Sequence, residues 1–321
     1  MKNSKIKRIK KETDLKKHRY ALYVITAGIM WGLIGIFIKN TARFGFDSLN
    51  ISLIRMIVAS ISFTVFILLK DKSLLKINIK DIPLFIGTGI VSVALFNFCY
   101  FYTIINSEAS LAVVLLYTSP VFVVLMSALF FKEKITINKI FALILTFAGC
   151  VLVSGISGGT KIKPLILFTG ICSGLFYALY SIFGRLALRK YNPVTVTEYT
   201  FIFGLIGVSI VSHPIKTFEL ISANPQSIIW CIGIGIVSTV LPYFFYTKGL
   251  EKLETGKAAI LVAVEPLVGA LIGMTVLKES RGILKIAGII LIIISIIILN
   301  INSRKGDPKN ESQAMPVNDV C

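Results

Sequence analysis

Charge is scarce in this sequence, and acid scarcest of all. Only 16% of the 321 residues are Asp, Glu, Lys or Arg, and 16 acids face 34 bases. Soluble chains carry about 25% charge, so a large solvated surface is not expected. There are two histidines, His18 and His213. Both fall outside the apolar blocks, which excludes an intramembrane imidazole for metal binding or a proton relay. No G-x-x-x-x-G-K-[ST] loop occurs, so the chain has no ATPase of its own. It also lacks the paired acids of a metal-dependent lipid transferase and the Ser/His pair of an intramembrane protease. None of the five cysteines forms a C-x-x-C pair. Cys99, Cys150, Cys172 and Cys231 lie within apolar blocks and read as small packing residues. Cys321 is the last residue, whereas prenylation needs three more after the cysteine. No metal and no cofactor is expected. Strand-type alternation with short turns is absent too, which argues against a β-barrel.

What the sequence does have is apolar length. It is 55% hydrophobic with a mean hydropathy of +0.82. A helix needs about 20 mostly apolar residues to cross the hydrocarbon core. Ten segments qualify, near 20–38, 49–69, 82–102, 109–131, 137–154, 164–184, 194–212, 228–247, 257–277 and 282–300. The fold class is therefore all-α integral membrane. The basic N-terminus could open a signal peptide, but no small-residue cleavage site leads into a polar domain, so the first apolar run reads as a span.

A net charge of +18 could suggest nucleic acid. The bases, however, sit between apolar blocks and at the N-terminus, where an anionic lipid leaflet is the more physical partner, and no nucleic acid is expected. With both termini cytoplasmic, 25 bases fall inside and eight outside, leaving Arg55 within a span. That asymmetry supports an even span count and a multi-pass protein of a bacterial-type inner membrane, with a basic N-tail (1–19) and a C-tail (301–321) in the cytoplasm.

The sequence also repeats itself. G-T-G-I-V-S (87–92) returns as G-I-G-I-V-S (233–238), and the match runs on without a gap at an offset of 146. Glu108 meets Glu254, Pro120 meets Pro266, and Lys132-Glu133 meets Lys278-Glu279. Residues 86–140 give 19 identities in 55 positions, against roughly five or six by chance. Each half, 20–154 and 164–300, holds five spans. An odd number forces the second half to cross the membrane in the opposite sense. Inverted repeats of this kind build many secondary transporters, because two similar halves can exchange conformations.

The ten spans, the Trp31-Gly32 pair and the blocks T-S-P-V-F-V-V-L-M-S-A-L-F-F-K-E-K (118–134) and V-E-P-L-V-G-A-L-I-G-M-T-V-L-K-E-S (264–280) resemble the drug/metabolite transporter superfamily, EamA type. The resemblance covers residues 20–300. It implies exporters or exchangers of amino acids and related metabolites, with a central cavity lined by spans 1, 3, 4, 6, 8 and 9 and with spans 5 and 10 peripheral. In one respect the chain departs from the pattern: Ser173 stands where the first half has Trp31, which loosens the correspondence of spans 1 and 6.

Glu265 reads as the one acid deep in a span, and Arg55 as the one base. Intramembrane charges are functional candidates by default. Glu265 could exchange protons or hold an amine; equally it could cap the half-helix broken at Pro266 or pair with Arg55. Arg55 could bind a substrate carboxylate or serve as a structural partner. Pro120 and Pro266 break spans 4 and 9 and are candidate hinges or static kinks. Trp31, Asn97, Tyr100, Tyr117, Tyr177, Tyr180, Tyr243 and Tyr246 form a polar-aromatic set on the implied cavity spans and complete the expected substrate pathway with Glu265. Glu133 and Glu279 read as structural caps or loop ion pairs. A secondary carrier of a small metabolite accounts for the repeat. The alternative is a membrane enzyme, or a scaffold or sensor, acting on lipid or a partner protein.

Overall fold

The computed structural model describes residues 18–107, 109–154, 163–276 and 282–301, and these contain helices and connections but no strand. The expected tails and Glu279 lie outside the described residues, apart from a few residues at the tails' inner ends. Among the described residues, nine helices are long and apolar enough to span: α1 His18–Ala42, α2 Ser48–Lys70, α3 Ile79–Asn106, α4 Leu111–Phe131, α5 Ile137–Ser154, α6 Pro164–Ala187, α7 Pro193–Val211, α8 Pro225–Leu250 and α9 Thr255–Thr275. The tenth, α10 (Ile283–Ile301), is shorter in its apolar part. A short helix, Pro214–Ala223, lies between α7 and α8.

Local chemistry sets the ends. Asp47 and Asn50 form a reciprocal capping box at the start of α2, at 2.8 and 3.0 Å. Proline opens α6 and α7, where its missing N–H costs nothing. Outward side chains such as Leu69, Ile210 and Ile283 are exposed and apolar, as lipid contact requires.

Pairing of the helices follows the repeat. α3 packs on α6 and α7, as α8 packs on α1 and α2. α5 and α10 pack on each other. The offset of 146 also relates contacts made by α1 and α6 and by α5 and α10. A Cβ on Gly28 would meet the Val262 carbonyl at 2.8 Å, and one on Gly174 would meet the Leu116 carbonyl at 3.2 Å. In the α5–α10 pair, Thr146 donates to Ser295 at 2.9 Å, and the mates of those two residues, Ile292 and Gly149, touch in their turn. Trp31 therefore corresponds to Tyr177, not to Ser173, and the expected loosening of spans 1 and 6 is corrected. The sequence comparison slipped by one turn because both segments are Gly-rich and few identities anchor them.

The repeat carries one further feature. α3 widens to a π-helix over Gly87–Ala94 and α8 over Ile236–Val240, at matching register. In each, a hydroxyl bonds a carbonyl five residues back: Ser92 to Gly87 at 2.6 Å and Thr239 to Ile234 at 3.0 Å. Such widenings inside α-helices concentrate at functional sites.

The basic loops that follow α2, α4, α6 and α8 share one face. Arg189 lies over the Phe131 ring at 5.3 Å, and Arg185 donates to the Leu250 carbonyl. Asp81 accepts from Lys190 at 2.5 Å and from the Tyr191 hydroxyl at 2.7 Å. The Asp81 hydrogen bond holds the Lys190 amine above its ordinary value. Asp81→Asn is therefore expected to speed amide hydrogen exchange across residues 72–80; unchanged exchange would show that the tie holds nothing.

Candidate functional site

Both proline-bearing helices are broken. α4 turns at Tyr117 and Thr118, and α9 at Val262 and Ala263, before the half-helices Ser119–Phe131 and Val264–Thr275 begin. The ladder tightens to three-residue steps there, with Thr118 N–H to Leu115 and Ala263 N–H to Ile260, both 3.2 Å. Proline supplies no N–H to continue the α ladder, so a break at this register is enforced locally. Glu265 sits in the first turn of its half-helix, where the positive end of the helix dipole favours a carboxylate.

Between the breaks lies a narrow cavity of about 10 Å³. Its polar wall is Tyr117, Ser119, Tyr177, Ser181, Tyr246 and Glu265, with Pro120 beside them. Tyr117 and Glu265 share this wall. Ser119 and Glu265 are repeat mates, so the cavity straddles the pseudo-two-fold axis, and the two halves differ there by one carboxylate. Of the residues singled out from sequence, Tyr117, Tyr177, Tyr246, Glu265 and Pro120 meet at this one place.

The others stand behind it. Trp31 makes edge contact with Tyr243 at 5.1 Å and leans on Tyr246 at 5.5 Å. Tyr180 bonds Thr247 at 2.6 Å, and Ser181 bonds Tyr246 at 2.8 Å, which fixes the phenols. Tyr100 stacks on Phe96, which packs on Tyr177, each at 5.4 Å. Pro266 is buried next to Glu265. Asn97 does not join the wall. Its amide accepts from Ser52 at 3.1 Å and donates to the Val93 carbonyl at 2.8 Å, so the protein itself satisfies it.

Arg55 belongs closer to the site than span 2 suggested. Its Nε donates to Thr239 at 2.9 Å, on the π-turn of α8 and four residues before Tyr243.

Glu265 is not the one buried acid among the described residues. Glu198 in α7 is fully buried, accepts from Thr64, and its Oε2 has no partner among the described residues. It stands only a few residues inside the expected span, and no local pattern marks it as buried. Only packing against α2 removes it from water. Ser119, Ser181 and Thr239 were also missed, since single hydroxyls in apolar helices carry no sequence signal. Cys99, Cys150 and Cys231 are buried free thiols and Cys172 is a partly buried one, as packing residues would be.

Ten membrane helices in two inverted halves, broken at matched prolines around a cavity on the symmetry axis, define the secondary-transporter class of architecture. The EamA-like transporter family profile matches residues 18–155 and 164–301. The chain belongs to that family and is a multi-pass membrane transporter. Two uncharacterized transporters of Archaeoglobus fulgidus are 28% and 26% identical, covering 84% and 86% of this chain and 94% of each relative. The uncharacterized inner membrane transporter YicL of Salmonella typhimurium is 25% identical over 88% of this chain and 96% of its own length. A crystal structure at 15% identity shares the fold, with a TM-score of 0.74 over 89% of this chain and 98% of that one.

Proposed function

We propose that the protein is a secondary carrier that exports an amino acid or a related amine-bearing metabolite by alternating access, with both termini in the cytoplasm of an inner membrane. The observation that carries this reading is the cavity between the two broken helices, with one carboxylate, Glu265, among phenols and hydroxyls. A substrate ammonium pairs with Glu265 and lies against the faces of Tyr117, Tyr177 and Tyr246, where cation–π attraction adds to the pair. A substrate carboxylate is met by the Ser119 hydroxyl at the start of the Ser119–Phe131 half-helix, with Arg55 nearby. About 10 Å³ holds roughly one water, whereas ligand sites enclose about 300 Å³ or more, so the walls must part to admit substrate. The broken helices supply points about which they can move. Export is the direction that the family resemblance implies.

The test is a thermal-shift screen of the detergent-solubilised protein against amino acids, amines, organic acids and nucleosides. Binding to the folded state alone raises apparent stability by mass action. Amine-bearing compounds are expected to raise the melting temperature, and this shift disappears in Tyr117→Ala. Hits confined to organic acids would overturn the amine assignment.

A further inference from the structure

The carrier reading leaves one cluster unused, at the face of the four basic loops. Glu133 follows α4 in the first half, yet it serves the second half. Its Oε1 accepts from the Thr255 N–H at 2.6 Å, and its Oε2 from the Gly256 N–H at 3.0 Å. These are the first amides of α9, the helix that carries Glu265, and a carboxylate on such amides makes charge-assisted bonds. The side chain is 10% exposed, so water competes poorly for it. Lys139, at the start of α5, holds the carboxylate from behind at 3.8 Å, pairs with Glu254 at 2.8 Å, and bonds the Lys134 carbonyl at 3.0 Å. Gly256 permits the approach. A Cβ there would stand 3.1 Å from Val124, 3.3 Å from the Ser127 hydroxyl and 3.4 Å from Glu133.

The Glu133 carboxylate thus clasps the start of α9 to the first half, beside the Lys139–Glu254 pair. α9 runs from this clasp to its break at Val262 and Ala263, seven residues on, and Glu265 lies just beyond. The segment between clasp and break behaves as a lever about 10 Å long. While Glu133 holds one end, α9 cannot leave α4, and the cavity stays shut toward this face.

We infer that Glu133 is a latch: its bonds to the Thr255 and Gly256 amides close the cavity at the face of the 132–136 loop, and each transport cycle breaks them. This rests on the carrier reading, but its test does not use flux. Val123 lines the cavity. Val123→Cys, with Cys99, Cys150, Cys172, Cys231 and Cys321 changed to alanine, makes it the one reporter thiol. The probe is a sulfonated, membrane-impermeant maleimide, added to vesicles of either orientation. Removing a buried charged acceptor should shift the closed-to-open balance at least about tenfold. Glu133→Gln is therefore expected to speed labelling from the loop face about tenfold while labelling from the other face holds or slows. Equal speeding from both faces, or no change, would overturn the latch, since general loosening moves both.

A second variant covers the case in which Glu133→Gln fails to fold. Glu133→Cys with Thr255→Cys, oxidised to a disulfide, replaces the latch by a covalent bond. Labelling is read at position 123 by peptide mass spectrometry, because reduction also frees the thiols at 133 and 255: the oxidised protein is expected to label there only from the opposite face, and prior reduction restores labelling at 123 from the loop face. Identical labelling before and after reduction would refute the proposal. Flux in proteoliposomes remains a separate assay, so a failed latch and a failed carrier reading are told apart.

Discussion

Glu265→Gln is expected to lower amine-substrate flux in proteoliposomes about 100-fold while leaving the fold intact. Breaking a desolvated charge pair costs about 2–5 kcal/mol, and this exchange removes the charge while keeping the shape of the side chain. Glutamine cannot bind or release a proton, so any dependence of flux on a proton gradient carried by this residue disappears as well. Glu265→Asp shortens the arm and should lie between the two. The competing role, a cap for the half-helix Val264–Thr275, makes the opposite forecast. Glutamine still caps, so flux would stay within a few-fold, and stability rather than transport would respond. Flux and gradient dependence both surviving Glu265→Gln would end the reading of Glu265 as the substrate or proton ligand.

Gly28→Val is the second large effect expected, and it acts through backbone. A Cβ at Gly28 would stand 2.5 Å from Val264 Cγ1, 2.8 Å from the Val262 carbonyl and 3.4 Å from the Glu265 amide. Two of those three atoms are main chain and cannot rotate away. Overpacking costs about 1–3 kcal/mol and at times more, so the apparent melting temperature should fall by several degrees. The break in α9 that sets the position of Glu265 is pushed aside with it, so flux falls too. Gly174→Val should act in the same way on α4, where a Cβ would meet the Leu115 carbonyl at 3.0 Å. Gly35→Ala is the control on the same helix, because nothing lies within 4 Å of its Cβ position. It should be neutral or slightly stabilising, since alanine favours helix and glycine does not. A Gly28 variant as stable and active as Gly35→Ala would refute the close-packed junction of α1 and α9.

The fold was legible because lipid simplifies the problem. Only closed backbone hydrogen bonding survives in hydrocarbon, so apolar length alone called for helices, and ten apolar runs called for ten of them. The repeat announced inversion through simple parity. Pro120 and Pro266 announced their breaks because proline lacks an N–H whatever surrounds it. Glu133 was legible as a cap, although not as a cap for the other half of the chain.

Side-chain partnerships were not legible. Asn97 and Tyr100 looked like wall residues on the same helix as their neighbours. Yet Asn97 is satisfied by Ser52 and Val93, while Tyr100 reaches the wall only through Phe96. Burial of Glu198 needed α2 to cover it, and the place of Arg55 needed Thr239 of the π-turn to receive it.

By itself, then, the sequence determined the number of spans, their inversion and the two breaks, since each follows from hydrophobic length, parity or a missing N–H. Tertiary structure alone decided that Ser119 and Glu265 face one cavity across the axis, that Tyr177 answers Trp31, and that Glu133 clasps α9. Those facts depend on the rotation and depth of one helix against another. Packing of small residues such as Gly28 and Gly174 sets that geometry, and no local pattern encodes it.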